Sequence, residues 1–199
     1  MKRDDIRQRL IDGTIHVIAE EGLEKVTTKQ IGQVTQTNEA YIYRCFANKE
    51  DLLANTFAYL DEELAGKTLE HITVMYKSDI SFDERAWLFF SAIWKFMLGN
   101  REKCLAFIRY YYSPYMERYS AEEHRRRFEP LFEQFKGAFS GQANTWMLMN
   151  HILSTMLDFA VKVYDGHLPD DADTAEHVFY VTHDSMRRYF RTEEESTHQ

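Results

Sequence analysis

The chain has 199 residues, of which 44% are hydrophobic and 15% aromatic, so it can bury a substantial core and is not a disordered protein. Three prolines and eight glycines leave long unbroken stretches, which favours helices. The net charge of −8 excludes a protein that coats nucleic acid over its whole surface.

The chain shows no sign of export or membrane insertion. No apolar segment follows the charged N-terminus, and the longest uncharged stretch contains several polar residues. We therefore expect neither a signal peptide nor a membrane span, and we expect a cytoplasmic location. Cys45 and Cys104 lie in different segments, so a disulfide or zinc framework is not expected. No cofactor and no metal are predicted.

The first 50 residues predict three helices. Apolar residues at three-to-four spacing predict a helix over 3–21, which Gly22 would end. Thr27 is a good N-cap for a short helix over about 28–34, and Asn38 caps a second short helix over about 39–45. The residues expected to form the small core of this pair are Ile31, Val34, Ile42 and Phe46.

The remaining chain also predicts helices, which makes the fold class all-α with about nine helices. Four of them are predicted to begin near Lys49, at Ser81 or Asp83, near Arg101 and near Ser120. The last two are predicted to cover about 142–165 and 171–190. Ser120 and Glu123 have the spacing of a capping box. No strand-like alternation and no internal repeat is present.

The pair of short helices carries the functional signal. Such brief helices are marginal alone, so two capped ones with a four-residue break predict a packed helix-turn-helix. In that unit the second helix lies in the major groove, and the first directs its N-terminus at a phosphate. Residues 1–50 hold eight basic and eight acidic side chains, so the rest carries the whole −8. DNA contact is therefore expected in this neutral head alone.

The stretch 22–53 resembles the DNA-binding head of the TetR family of repressors. The matching strings are Thr27-Thr28-Lys29-Gln30-Ile31 and Ile42-Tyr43-Arg44-x-Phe46-x-Asn48-Lys49-Glu50-x-Leu52-Leu53. The resemblance implies a three-helix DNA-binding head over 1–48, a helical ligand-binding and dimerisation body over 49–191, and a flexible polar tail over 192–199.

The resemblance also implies which residues contact DNA. The implied set is Thr27, Thr28, Lys29, Gln36, Asn38, Glu39, Ala40, Tyr41, Tyr43 and Lys49. Thr27 would cap the first short helix and meet a phosphate beside Lys29, whereas residues 39–41 would face the bases. Tyr43 and Lys49 would hold further phosphates. Both tyrosines of the second short helix could instead be packing residues, and Lys49 could simply start a helix.

Three positions depart from the family pattern. Gly32 stands where alanine is usual, Gln36 where glycine is usual, and Glu39 where lysine is usual. Gln36 is expected to adopt a positive φ at some cost in conformational energy. A glutamate at position 39 repels phosphate, although it can accept a hydrogen bond from cytosine N4.

The body is rich in large rings, which suits a mostly apolar ligand pocket. Most individual rings are expected to be core. The predicted ligand-binding residues are Trp94, Tyr110, Tyr111, Phe128 and His151. Asp158 could select a cationic ligand if it faced inward, although a surface position is the simpler expectation. The effector is therefore expected to be small and mostly apolar or aromatic.

The resemblance further implies a homodimer that pairs through the last two long helices. A two-fold dimer would read two half-sites of a palindromic DNA operator about 34 Å apart. A ligand in the body would shift the population towards an arrangement whose heads no longer fit that spacing.

Two other classes of protein are alternatives at the level of the sequence. The first is a dimeric ligand-binding or interaction protein without sequence-specific DNA binding, which the neutral head and Glu39 allow. The second is an enzyme, but the chain has no glycine-rich phosphate loop and no nucleophile or metalloprotease motif. His177, His183 and Asp184 could bind a metal, but scattered helix histidines usually face solvent or are capped. No catalytic residue is predicted.

Overall fold

A computed structural model describes residues 3–140 and 143–190, and in these ranges it contains nine α-helices. They are α1 (Arg3–Glu21), α2 (Thr28–Thr35), α3 (Glu39–Cys45), α4 (Lys49–His71), α5 (Phe82–Leu98), α6 (Arg101–Tyr111), α7 (Ala121–Gln134), α8 (Thr145–Tyr164) and α9 (Ala172–Met186). The described ranges contain no strand, only one isolated bridge between Phe139 and Phe190. The all-α prediction is confirmed, and the predicted flexible tail lies outside the described residues.

Short tight turns link several of these helices. Turns of 3-10 helix cover Leu23–Lys25, Ile72–Tyr76, Lys136–Ala138 and Arg187–Tyr189, and a π-helical turn covers Met116–Ser120. The predicted bounds of α1 and α3 agree with the structure, because caps and glycines fix them locally. Across the described ranges, no helix combines the length and the apolar character that crossing a membrane requires.

The described chain forms two compact units. The first contains residues 3–64 and 100–125, and the second contains residues 65–99, 126–140 and 143–190. The helices α4 and α7 each contribute to both units. The functional boundary at residue 48 stays a prediction, and the compact unit that contains α1 to α3 also contains α6 and the start of α7.

In the first unit, α6 is fastened to the C-terminal end of α1. One guanidinium nitrogen of Arg109, Nη1, donates to the carbonyl oxygens of Ile18 at 2.6 Å and Ala19 at 2.8 Å. Carbonyls in the last turn of a helix lack intrahelical partners, and a cation there also complements the helix dipole. Arg101 adds an exposed ion pair with Glu20 at 3.0 Å.

The predicted burial of Val34 is wrong. Its side chain is 45% exposed, and Thr35 is buried in its place. Thr35 lies four residues after Ile31 and therefore shares its face, where its hydroxyl donates to the Ile31 carbonyl at 2.7 Å. The chain is close-packed at this point, since a Cβ added at Gly13 would lie 2.2 Å from Cγ2 of Thr35.

The predicted capping box at Ser120 is also wrong. Ser120 ends the π-helical turn and runs straight into α7 with helical dihedrals at Ala121. Its side chain is buried, and its hydroxyl hydrogen-bonds the hydroxyl of Tyr110 at 2.8 Å. The segment already starts as a helix at Pro114, after a turn in which the Ser113 hydroxyl accepts from the Tyr115 amide at 3.2 Å.

A buried polar pair, which sequence analysis did not identify, links α4 to α7 within the first unit. Asp61 is fully buried and His124 is 3% exposed, and Oδ1 of the aspartate lies 2.8 Å from Nδ1 of the histidine. The histidine ring packs edge-on against Tyr111 with 5.4 Å between ring centroids. A buried ionisable group without its partner is costly, so each side chain of this pair requires the other.

We predict that Asp61→Ala lowers the free energy of unfolding by about 3–5 kcal/mol, because it leaves His124 buried without its carboxylate. Urea denaturation of the two proteins measures the loss. The matched control is Glu62→Ala, which removes the neighbouring but exposed carboxylate of α4 and should change stability by about 0.5 kcal/mol or less. Equal effects of the two substitutions would contradict this account.

Candidate functional site

The start of α2 is a capping box. The Thr27 hydroxyl oxygen accepts from the amide of Gln30 at 3.2 Å, and the Gln30 side-chain oxygen accepts from the amide of Thr27 at 3.1 Å. The Gln30 side chain also donates to Glu21 at 2.7 Å, which fixes it against the end of α1. The N-cap predicted from the sequence is observed, and it orients the first turn of α2 towards solvent.

The turn between α2 and α3 explains two departures from the family pattern. Gln36 has the left-handed dihedrals φ 52° and ψ 39°, as predicted. The amide of Thr37 then donates back to the carbonyl of Gly32 at 2.9 Å, which closes the helix end. A Cβ at Gly32 would lie 2.9 Å from the Thr37 carbonyl oxygen. An alanine at position 32 would therefore clash with the returning chain.

The recognition helix candidate α3 presents one face to the core and the other to solvent. The Asn38 side chain caps it by accepting from the amide of Ala40 at 2.9 Å, and Ile42 and Phe46 anchor its inner face. Tyr43 is 59% exposed, so it is not a packing residue of the core. Tyr41 is 36% exposed and carries the guanidinium of Arg44 over its ring at 5.3 Å.

Two cations flank the start of α2. Lys29 is exposed in its first turn. Lys49, at the start of α4, donates to the carbonyl of Val26 at 3.4 Å, which holds its ammonium beside the Thr27 cap. An ammonium has three donors, so this contact is compatible with a further bond to an anion. The structure therefore brings the predicted residues Thr27, Lys29 and Lys49 to one end of α2.

Glu39 lies across the start of α2. Its carboxylate Oε2 accepts from the Thr28 hydroxyl at 3.0 Å, and its Cγ passes close over Gly32, 3.6 Å from where a Cβ would stand there. The negative charge therefore occupies the side of α2 where a phosphate is expected to bind. Both residues belong to the predicted DNA-contacting set, and that role stays a prediction; here they are bonded to each other.

Comparisons with known proteins agree with this geometry. Residues 10–56 match the model of the family described as "Bacterial regulatory proteins, tetR family". A crystal structure of a TetR family transcription regulator from Marinobacter aquaeolei VT8 superposes with a TM-score of 0.78 at 16% identity, covering 96% of this chain and 100% of the other. A similar regulator from Shewanella sp. PV-4 gives 0.74 at 15% identity, covering 96% and 100%.

Residues 10–56 are therefore similar to the tetR family of bacterial regulatory proteins, and the fold is similar to that of the TetR-family structures. The matched residues include α2 and α3, the two helices of the candidate helix-turn-helix. A curated relative, the HTH-type nicotine-responsive transcriptional repressor HdnoR of Paenarthrobacter nicotinovorans, is 35% identical over 60 residues. That match covers 30% of this chain and 31% of the relative, so the chain spans about a third of the length of the relative that it matches.

The five predicted ligand-binding residues are divided between the two compact units. Tyr110 and Tyr111 lie in the first unit, where burial raises the pKa of both phenols and Tyr110 stacks on Phe57 at 4.5 Å. The remaining three, which lie in the second unit, are Trp94, Phe128 and His151. The first two of these are buried core residues, and the histidine is exposed and bonded to a serine hydroxyl at 2.8 Å.

The second unit contains an apolar cavity elsewhere, between α5, α8 and α9. Seven phenylalanines and four methionines line it, among them Phe82, Phe89, Met149 and Met156, with His183 as its one ionisable residue. Its free volume of about 60 Å³ is far below the roughly 300–1,000 Å³ of ligand pockets. Flexible methionines can move to enlarge it. The feature of the sequence that could have indicated this cavity is the clustering of phenylalanine and methionine in the body.

We predict that Glu39→Gln raises the affinity for a random-sequence DNA duplex by about threefold to tenfold at low salt, because it removes a negative charge from the phosphate-facing end of α2. Fluorescence anisotropy with a labelled duplex measures the change. Glu24→Gln removes an equal charge elsewhere in the head, at an exposed position, and should have a smaller effect. If the two variants bind the duplex equally well, the Glu39 carboxylate does not oppose phosphate binding.

Proposed function

We propose that this regulator is a repressor that binds a palindromic DNA operator as a homodimer and leaves it when a small molecule binds the body. The single observation that carries the proposal is the solvent-facing side of α3, where Tyr41 and Tyr43 are exposed beside the capped and cation-flanked start of α2. Such a helix fits the major groove, and such a helix start fits a phosphate. The regulator would act in the cytoplasm, where the DNA is.

The charge distribution supports DNA binding through the head. Residues 1–50 are neutral overall, and the remainder carries the net charge of −8. An acidic body is repelled by phosphate, so the orientation that places α3 against DNA is the favourable one. The neutral head also implies modest non-specific affinity, which leaves selectivity to contacts with base edges.

The DNA-binding proposal predicts that Tyr43→Phe and Lys49→Ala each weaken binding to an operator. The operator is selected from a random library with the wild-type protein. Loss of one hydroxyl hydrogen bond is expected to cost about fivefold in affinity. Loss of one phosphate-contacting cation should weaken binding to all sequences and reduce the salt slope by about one.

Lys67→Ala is the matched control for this experiment, because it removes a half-buried cation that pairs with Glu70 in the second unit. It should leave the operator affinity and the salt slope unchanged. If Tyr43→Phe and Lys49→Ala behave like this control, the assigned phosphate contacts are wrong. If the wild-type protein selects no duplex at all, the chain is instead a ligand-binding protein, which is the reading that the Glu39–Thr28 pair favours.

The proposed dimer uses the exposed sides of α8 and α9. Met147, His151 and Asp158 lie four and seven residues apart and therefore share one exposed stripe of α8. Met147 on α8 is 53% exposed, and Val181 on α9 is 54% exposed. Apolar side chains on a shared exposed surface suit a self-complementary two-fold contact.

We predict that Val181→Glu converts the dimer to a monomer, because the two-fold contact would then bury a charge without a partner. Sedimentation velocity measures the mass of the particle. Leu69→Glu is the control, because Leu69 is 53% exposed on α4 and lies outside the proposed interface. A dimer that survives Val181→Glu, or one that Leu69→Glu dissociates equally, contradicts the assignment of the interface.

Release by a ligand is the third part of the proposal. The body contains an apolar cavity lined by adaptable side chains, which suits a mostly apolar or aromatic effector. The relative HdnoR is named as nicotine-responsive, which supports a ligand response of the same kind here. A coupling of about 1–3 kcal/mol between the two sites would loosen operator binding roughly 5-fold to 150-fold.

A further inference from the structure

An acidic cleft opens on the surface of the second unit, between the first turns of α5 and one side of α9. Its free volume is about 370 Å³. Carboxylates from both helices line it, namely Asp83, Glu84, Glu176 and Asp184. The rings in the same cleft are Trp87, Phe179 and Tyr180. One guanidinium, that of Arg187, faces four carboxylates, so the cleft is strongly negative.

The cleft and the apolar cavity share two lining residues, Phe179 and His183. His183 is 6% exposed, and its ring stacks on Phe179 with 5.0 Å between centroids. The sequence favoured a solvent-facing or capped position for this histidine, and that expectation is wrong. Because His183 lines both the apolar cavity and the acidic cleft, a ligand that occupied both would have its imidazole as a polar contact.

One nitrogen of this imidazole has no hydrogen-bond partner. Nδ1 lies 3.3 Å from a carboxylate oxygen of Asp184, and because a carboxylate only accepts, Nδ1 carries the proton. Nε2 is buried and makes no hydrogen bond, although Oδ1 of Asp83 lies 3.3 Å from it. A ring that carries only the proton on Nδ1 presents a lone pair at Nε2, so that two acceptors face each other there without a donor between them.

We propose that the cavity and the cleft form one binding site for an apolar molecule that carries an ammonium group. The N–H donors of the ammonium would bond to Nε2 of His183 and to the Asp83 carboxylate, which supplies the missing donor. Trp87 and Phe179 would offer ring faces to the cation, and the apolar part would enter the cavity among the phenylalanines. The effector role of such an amine rests on the proposed function.

The charges of the cleft disfavour an anion. Hydrogen bonds from the amide and then the hydroxyl of Ser81 hold the pKa of Glu84 below its usual value, so this carboxylate is ionised at neutral pH. A carboxylate ligand that approached Arg187 would meet Asp83 and Asp184 as well. In the part of the chain that the structure describes, no group of three His, Cys, Asp or Glu side chains could hold a metal ion. An organic amine fits better than either.

Isothermal titration calorimetry on the full chain tests the proposal with three probes that share one apolar part. They are 4-phenylbutylamine, 4-phenylbutan-1-ol and 4-phenylbutyrate. We expect the amine to bind at least tenfold more tightly than the alcohol, and the acid to bind most weakly. If the acid binds as tightly as the amine, or if the amine does not bind, the proposal is overturned.

Substitutions locate the site. Asp83→Asn, at a 66% exposed side chain, and Asp184→Asn should each weaken amine binding about fivefold or more without changing alcohol binding. His183→Phe keeps the ring packing but removes the lone pair, and should bring the amine down to the affinity of the alcohol. Glu133→Gln is the matched control, because Glu133 is 58% exposed in the second unit and pairs with Lys136 away from the cleft. If Glu133→Gln weakens the amine as much as Asp83→Asn, the ammonium does not bind in the cleft.

The titrations require no DNA, so they are independent of the operator experiment. If the amine binds in the cleft but leaves operator affinity unchanged, the proposal of ligand release fails and the amine site stands. If operator binding behaves as proposed but the amine shows no preference over the alcohol, the regulator stands and the amine site fails.

Discussion

The position of α3 depends on the turn that ends α2. Gln36 takes a left-handed backbone conformation that a side chain adopts only at some cost, and the chain then folds back over Gly32. The close approach at Gly32 leaves no space for a Cβ, so this glycine and the strained glutamine belong to one arrangement. The exposed side of α3, and therefore every proposed contact with DNA, follows from this turn.

The same turn brings Glu39 back over α2. The carboxylate bonds to Thr28 at the end of the helix that would otherwise bind a phosphate, and the contact is possible because the chain passes directly over Gly32. DNA binding would require Glu39 to give up this bond, and a cytosine whose N4 amino group donates to the carboxylate in place of Thr28 would recover part of the loss. The head therefore combines a phosphate-binding geometry with a local charge that opposes indiscriminate binding.

Within each unit, buried or half-buried polar side chains make specific contacts between helices. In the first unit, Arg109 satisfies the end of α1, and the buried pair of Asp61 and His124 joins α4 to α7. In the second unit, His183 stands where an apolar cavity and an acidic cleft meet. Buried polar groups need specific partners, so each of these sites fixes a geometry that apolar packing alone would leave open.

The sequence by itself determined the all-α fold class and the local features of the first three helices. The bounds of α1 and α3, the capping residues Thr27 and Asn38, and the positive φ at Gln36 were all predicted, because each depends on neighbours within a few residues along the chain.

Only the tertiary structure decided which side chains meet across the chain. In the structure Val34 is exposed and Thr35 is buried, and Ser120 bonds to Tyr110 instead of capping a helix. The five predicted ligand-binding residues are divided between the two units. The structure also pairs Thr28 with Glu39 and buries His183. These outcomes depend on contacts between residues far apart in sequence, where the packing of whole helices overrides local preference.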